Sequence, residues 1–401
     1  MEQVLHQLPG GWEWRKLKSI TTKIGSGSTP KGGEKAYKPI GISLIRSLNV
    51  HDCTFKKKRL AFIDDEQANA LKNVIVESGD VLLNITGASI ARCCIVPDEY
   101  LPARVNQHVM IIRPTPKIDN LFLNYLIVNP KFKAQLLWQG AGGATRQALT
   151  KTMVEELDIP LPNIQEQKRI VEKLDVLLSR IDTAIEHLQG KLELSKQLFD
   201  SVLDDFFKRT NCNAKPLTEV VNFIGGSQPP KSQFSHEKIE GYVRLIQIRD
   251  YKSDKHIVYV DKESTKKFCT KEDVMIGRYG PPVFQILRGL DGAYNVALMK
   301  AVPDEEVLDK DYLYWFLQSP SIQNYVIGIS QRAAGQSGVN KKALEKYLIP
   351  VPCKDEQHEI VFNVEKLVSQ NISLKNEVSE EISSLSQLKE SILDSAFKGE
   401  L

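Results

Sequence analysis

The 401-residue sequence is poor in the features that announce chemistry. Its six cysteines (Cys53, Cys93, Cys94, Cys212, Cys269 and Cys353) include no CxxC spacing. They read as reduced thiols of a cytoplasmic protein, not as a disulfide framework or a zinc site. The seven histidines form no HxH, HxxxH or HExxH pair, and no Gly-x-Ser-x-Gly elbow is present. No apolar run approaches the roughly 18 residues that a membrane helix needs. The opening "MEQVLHQLPGGWEW" lacks a basic segment followed by an apolar one, so no secretion signal is expected.

Motifs for nucleotide or metal chemistry are equally scarce. "GSGSTPKGG" (residues 25–33) lacks the GK[ST] ending of a phosphate loop and is not GxGxxG. It reads as a turn whose amides and Lys31 face a phosphate, or as an inert surface loop. "RYGPPVF" (residues 278–284) carries Pro-Pro and an aromatic, but Gly280 stands where a base-gripping methyltransferase needs a polar side chain. "FIGGS" (residues 223–227) only faintly resembles a cofactor glycine loop. The acidic runs "PDEY" and "PDEEVLDKD" suit turns better than a metal cluster. A chain without catalytic equipment is expected, with no cofactor or metal of its own.

Charge says where to look instead. The net charge is only +3, but it is unevenly placed. Basic residues outnumber acidic ones by 21 to 15 in residues 1–160 and by 19 to 16 in 211–350. Acids lead by 9 to 8 in residues 161–210 and by 10 to 5 in 351–401. That pattern fits two large segments meeting an anion and two short ones meeting protein or water.

The chain also repeats itself. "IPLPNIQEQKRIV" (residues 159–171) returns as "IPVPCKDEQHEIV" (residues 349–361), 190 residues later. Laying 159–208 over 349–398 without a gap gives 16 identities in 50 positions. Upstream, "IGSGSTPK" pairs with "IGGSQPPK" at an offset of 200, "GDVLL" with "EDVMI" at 193, and Asn106 with Asn295 at 189. The offset drifts through the large segments and locks in the short ones. A shared plan with different loops explains the drift.

Each short segment predicts one long helix after the strand-ending proline. Apolar residues recur at Ile170, Leu174, Leu177, Ile181, Ile185, Leu188 and Leu192, and continue at 199, 202 and 206, with Ser195 in the one gap. The second copy gives Ile360, Val364, Leu367, Leu374, Val378, 382, Leu385, 388 and Ile392, with Asn371 at its vacant place. Such a heptad seam needs a partner helix. The two copies are expected to pair antiparallel, each ending where the opposite domain begins; packing of each on its own domain alone is the plainer reading. The large segments read as strand-rich α/β, from "DVLLNIT", "VNQHVMIIRP" and "YVRLIQI".

What remains is binding. "FKKKRL" places Lys56, Lys57, Lys58 and Arg59 together, for phosphate contact or as a solvated strand edge. Arg46 in the first half, and Gln247 with Arg249 in the second, follow comparable strands. Arg278, Lys231, and Arg146, Gln147, Arg332 and Gln336 of the Gly-rich loops complete the candidates. Their side chains suit base edges or phosphates, with surface ion pairs as the plainer reading.

The succession "GWEWRKL", "IGSGSTPKGG", "GDVLLNITG", a Gly-rich loop, then "IPLPNIQEQKRIV" and a long helix, all echoed once, resembles the specificity subunit of Type I restriction–modification systems. The resemblance covers essentially the whole chain. It implies an α+β fold: two pseudo-repeated mixed α/β target-recognition domains (residues 1–160 and 211–350) separated by two long antiparallel coiled-coil helices (161–210 and 351–401). It implies double-stranded DNA as ligand, each domain reading half of a bipartite site. Two methyltransferase subunits bringing S-adenosylmethionine, and motor-nuclease subunits using ATP and Mg, are the implied partners. The second half lacks the "GWEW" entry and starts at "KPLTEVV" (Lys215), so a differently built edge is expected there. The competing reading is a repeat-built scaffold that binds proteins and never DNA.

Overall fold

The computed structural model describes residues 8–140, 148–210, 212–330 and 338–401. The chain divides into two compact units, residues 1–188 with 380–401, and residues 189–379. The first unit therefore takes its parts from two separate stretches of sequence, and the second from one continuous stretch.

In the first unit a short strand β1 (Glu13–Lys16) leads to β2 (Thr21–Ser26), β3 (Ile42–Ile45), the hairpin β4 (Val50–His51) and β5 (Thr54–Phe55), and β6 (Ala61–Ile63). Helix α1 (Asp65–Ala70) precedes β7 (Ile75–Val76), β8 (Val81–Asn84), β9 (Cys93–Ile95), β10 (Ala103–Val105) and β11 (Val109–Pro114). Two four-stranded sheets result, in the orders β6-β3-β10-β7 and β2-β11-β8-β9, with only β3 and β10 parallel. All four residues of β8 are buried, as are the first four of β11. Alternation sorts them: Val81, Leu83, Met110 and Ile112 face one core, Leu82, Val109 and Ile111 the other. A strand with a core on each face reads as a continuous apolar run, and these two do.

The first of those cores lies under α2 (Asn120–Val128) and α3 (Pro130–Gly140). Asp119 caps α2 by accepting from the Phe122 amide at 3.0 Å. After α4 (Lys151–Glu155), β12 (Asp158–Leu161) pairs antiparallel with β1 and hands the chain to α5 (Ile164–Lys208).

The second unit repeats this plan. Strand β13 (Ala214–Pro216) and helix α6 (Leu217–Val220) precede β14 (Val221–Gly225), β15 (Tyr242–Ile246), β16 (Tyr259–Asp261) and β17 (Phe268–Cys269). Then come β18 (Val274–Gly277), β19 (Gln285–Leu287), β20 (Gly292–Tyr294) and β21 (Leu298–Pro303). The sheets run β14-β21-β18-β19 and β16-β15-β20-β17, again with one parallel pair, β15 with β20. Helices α7 (Lys310–Gln318), α8 (Pro320–Ser330) and α9 (Lys341–Glu345) lead to β22 (Leu348–Pro350) and α10 (Lys354–Lys398).

The entry edge of this unit is built like that of the first, against expectation. β13 pairs antiparallel with β22, and the Leu217 amide donates to the Tyr347 carbonyl as Leu17 does to Leu157. Backbone pairing does not need the tryptophans, so the edge survives without "GWEW".

Both long helices have 45 residues. In the first unit Arg169 of α5 donates to the Leu401 carbonyl at 2.8 Å, and Lys389 of α10 meets Asp182 at 2.5 Å. One number rises as the other falls, so the helices are antiparallel. In the second unit Ser195 donates to Asn371 Oδ1 at 3.2 Å, joining the two polar places left in the apolar seams. A polar pair in an apolar seam fixes register at some cost in stability.

The seam widens where a helix also meets a domain. Leu177 is half-buried while Leu178 fills the core, and Leu203 and Phe207 are buried beside half-buried Val202 and Phe206. At those ends the helix packs on both a domain and the other helix, so a broader stripe is covered. Between them, Ile185, Leu188, Leu192 and Leu374 are half-buried, as in a solvated two-stranded coil. Among the described residues no helix is long and apolar enough to cross a membrane.

Candidate nucleic-acid interface

In the first unit the ends of β2, β3, β8 and β10 converge. The Gly27 amide donates to the Asn106 carbonyl, Asn106 to the Ile45 carbonyl, and Ile85 to the His108 carbonyl. The side chain of Asn84 reaches the Ser47 carbonyl at 2.9 Å. Gly27 is required by this crowding, because a Cβ there would sit 1.7 Å from the Val105 carbonyl oxygen. Close backbone approach explains the glycine without any phosphate.

The loops leaving this edge carry the candidates of the first half. Fully buried Asn49 organises them: it accepts from the Arg46 amide at 3.1 Å and donates to the Lys56 carbonyl at 2.8 Å. Around this brace Lys56, Lys57, Lys58 and Arg59 are all exposed, and among the described residues none has an ion-pair partner. Burial, then the nearby charges of Lys56 and Arg92, push His51 below the ordinary imidazole range. Exposed Lys31 lies on the neighbouring loop. Cations held by backbone geometry and left unneutralised suit an anionic partner.

Arg46 is placed differently from its fellows. Its guanidinium donates to Glu34 at 2.9 Å and to the Arg59 carbonyl at 2.6 Å, and lies 5.2 Å from the Tyr37 ring centroid. With only 12% of the side chain exposed, it braces the basic loop from inside. The plainer ion-pair reading describes its state here.

The second unit converges in the same way, through bonds from Ser227 to the Tyr294 carbonyl, Asn295 to Ile246 and Arg278 to Ala297. Asp250 takes the place of Asn49, accepting from the Gln247 amide at 3.1 Å. Burial raises its carboxyl above the usual range despite Arg244 and Arg249 nearby. Gln247 opens that turn, Arg249 is exposed with a weak bond to the His256 carbonyl, and Lys231 is exposed on its own short turn. Arg278 donates to the Val296 carbonyl at 3.2 Å beside the Tyr279 ring. Arg146, Gln147, Arg332 and Gln336 lie outside the described residues. Among the described residues, the bridges Thr86–Ala148 and Tyr279–Gly338 are equivalent in the two units.

Sequence reasoning missed the braces Asn49 and Asp250, and the network of Thr29, Thr86, Gln107 and His108. The first had a signal: "RSLN" and "QIRD" place a short polar acceptor four residues after the strand end. The second joins residues from three loops and had none. Among the described residues no group of three or more His, Cys, Asp or Glu is placed to hold a metal ion.

The sequence profile described as "Type I restriction modification DNA specificity domain" matches the chain twice, over residues 9–194 and 211–384. The "Type I restriction enzyme EcoKI specificity subunit" of Escherichia coli (strain K12) is 23% identical, over 98% of this chain and 90% of that protein. A putative specificity subunit, MjaX, of Methanocaldococcus jannaschii is 26% identical over 94% of this chain and 91% of its own length. Among solved structures, a chain from one described as "Structural basis underlying complex assembly and conformational transition of the type I R-M system" superposes with a TM-score of 0.80. It is 22% identical, and the match covers 99% of this chain and 100% of that one. The HsdS subunit of Thermoanaerobacter tengcongensis gives 0.58 at 21% identity, covering 100% of both chains. The chain belongs to the Type I restriction–modification DNA specificity family and carries its domain twice. It is a specificity subunit, the non-catalytic member of its system.

Proposed function

We propose that each unit lays its basic loop edge on duplex DNA, so that two half-sites are read by one chain. The observation that carries this is the braced loop of Lys56, Lys57, Lys58 and Arg59, exposed and unpaired among the described residues. Residues 1–160 and 211–350 are the readers in this reading, and residues 161–210 and 351–401 set the gap between half-sites. Lys31, Lys231, Gln247, Arg249 and Arg278, with Arg146, Gln147, Arg332 and Gln336, supply further contacts, while Arg46 shapes the loop.

The long helices also offer a surface for partners. Leu194, Leu198 and Phe362 are exposed, outside the seam that pairs the helices, and Leu388, a seam position by its spacing in the sequence, is exposed as well. Two methyltransferase subunits dock there in this reading, bringing S-adenosylmethionine, and motor-nuclease subunits add ATP and Mg. The complex works in the cytoplasm, where the reduced thiols of this chain are at home. The deciding experiment is genome-wide methylation in cells with and without the chain, beside a salt titration of duplex binding by the assembled complex. A bipartite methylated motif that vanishes with the chain, and affinity that falls steeply with salt, are expected. Methylation unchanged by deletion would leave a protein scaffold as the better account.

A further inference from the structure

The two units differ in the short loop that joins β10 to β11 and its equivalent between β20 and β21. Between β10 and β11 runs Asn106-Gln107-His108, and between β20 and β21 runs Asn295-Val296-Ala297. Both asparagines are buried, and each side chain accepts from the amide two residues on, at 3.0 and 3.1 Å. That turn presents the middle residue, Gln107 or Val296, to solvent. Near it stands the second residue after the end of β8 or β18, Thr86 or Tyr279.

Gln107 is exposed yet not free to turn. Thr29 Oγ1 donates to its Oε1, its Nε2 lies 3.1 Å from His108 Nε2, and His108 Nδ1 lies 2.6 Å from Thr86 Oγ1. With Nδ1–H donating to Thr86, the bare Nε2 accepts one amide hydrogen of Gln107. The amide keeps one N–H and one oxygen lone pair, and those bonds hold its plane in place. A surface glutamine adds nothing to a core by being held so; it gains as a preformed donor–acceptor pair.

Among the described residues the second unit shows no such network: Val296 and Ala297 replace Gln107 and His108. Arg278 stands there instead, its guanidinium 5.2 Å from the Tyr279 ring centroid. One bond, to the Val296 carbonyl, holds it among the described residues, and its remaining donors form a fork.

We propose that these are the base-reading elements of the two halves: Gln107 reads an adenine in the first half-site, and Arg278 a guanine in the second. An amide pair matches N6–H and N7 of adenine in the major groove, and a guanidinium fork matches O6 and N7 of guanine. The inference rests on the reading that each unit docks on duplex DNA, and adds which side chain selects and what it selects.

The test uses the full chain assembled with its methyltransferase partner, read by genome-wide methylation and by binding to a randomised duplex library. Gln107→Glu, which keeps size and removes the donor, is expected to lose about ten- to a hundredfold in preference for adenine at one position of the first half-site. The second half-site stays as it was. Arg278→Gln is expected to do the same to one guanine of the second half-site alone. Thr29→Val, which loosens Gln107 without altering it, lowers discrimination at the Gln107 position and leaves the preferred base unchanged. Methylation that falls uniformly with both motifs intact would assign these residues a structural role and overturn the proposal. So would a wild-type motif without adenine in its first half or guanine in its second. A wild-type complex that binds no duplex would instead sink the docking reading beneath it.

Discussion

Gln167 and Gln357, 190 residues apart, make the same three hydrogen bonds in their respective units. Gln167 accepts from the Asp119 amide at 2.7 Å and donates to the carbonyls of Lys117 and Pro162 at 3.0 and 2.9 Å. Gln357 accepts from Asp309 at 2.8 Å and donates to Val307 and Pro352 at 2.9 and 2.8 Å. Both are fully buried. Each ties the first turn of a long helix to the loop that caps a helix of the recognition domain, so helix and domain share one orientation.

Replacing Gln167 by leucine should remove the side-chain partner of three backbone groups, among them the Pro162 carbonyl, whose bond to Gln167 is buried. At about 1–3 kcal/mol for a buried group left unpaired, a loss of at least that size is expected. Urea denaturation of the variant checks it, through a lower midpoint with an unchanged slope. The equivalent change at Gln357 should act on the second unit alike.

Neutralising Lys56, Lys57 and Lys58 together should weaken duplex binding without altering the sequence read. Each phosphate contact contributes about 0.9 to the slope of log K against log salt. The triple alanine variant should therefore show a slope shallower by up to roughly three, measured by a salt titration of the assembled complex. An unchanged slope would return this loop to the status of a solvated edge.

Acid should loosen the units through a matched pair of aspartates. Asp204, near the end of α5, accepts from the Ser321 amide and hydroxyl at 3.0 and 2.7 Å and pairs with Lys208 at 2.5 Å. Burial opposes its ionisation, but these partners outweigh burial and hold the carboxyl below its ordinary range. Asp394, near the end of α10, is held down in the same sense by Lys131 and Lys398 against burial. A carboxyl with a depressed folded value binds fewer protons folded than unfolded. Its stabilisation is therefore complete above the ordinary value of about 3.9 and lost as pH falls through the lower folded one. Stability measured from pH 7 down to pH 2 should fall most in that window, and Asp204→Asn should flatten the fall.

Four residues inserted after Gly190, matched by four in α10, should lengthen the gap between the half-sites. At 1.5 Å per residue the added rise is about 6 Å, close to two base pairs. The methylation motif of the variant should keep both half-sites and widen the space between them. A gap that stays the same would end the spacer reading.

The helices, their lengths and the polar places in their seams were legible in the sequence, because periodicity and an exact repeat report them directly. Ser195 and Asn371 stood out as gaps, and they face each other. Arg46 was legible only as a cation after a strand. Its Glu34 and Arg59 partners come from loops on either side, and no local pattern encodes such a meeting. Gln107 was invisible for the same reason, since its orientation comes from Thr29 and His108 rather than from its neighbours in periodicity. The pairing of β13 with β22 went unseen because backbone bonds hold it and side chains only decorate it.

Phe397 packs edge-on against Phe122 with ring centroids 5.2 Å apart, and Leu393 and Ala396 share its core with Ile170 and Leu174. The first unit thus contains residues that a ribosome adds more than 200 positions after that helix has begun. At roughly 5–20 residues per second, that is about ten to forty seconds during which the nascent module keeps an apolar notch open. Translation order and closure order run opposite ways: the unit started earliest is sealed only after the whole of the other has been made.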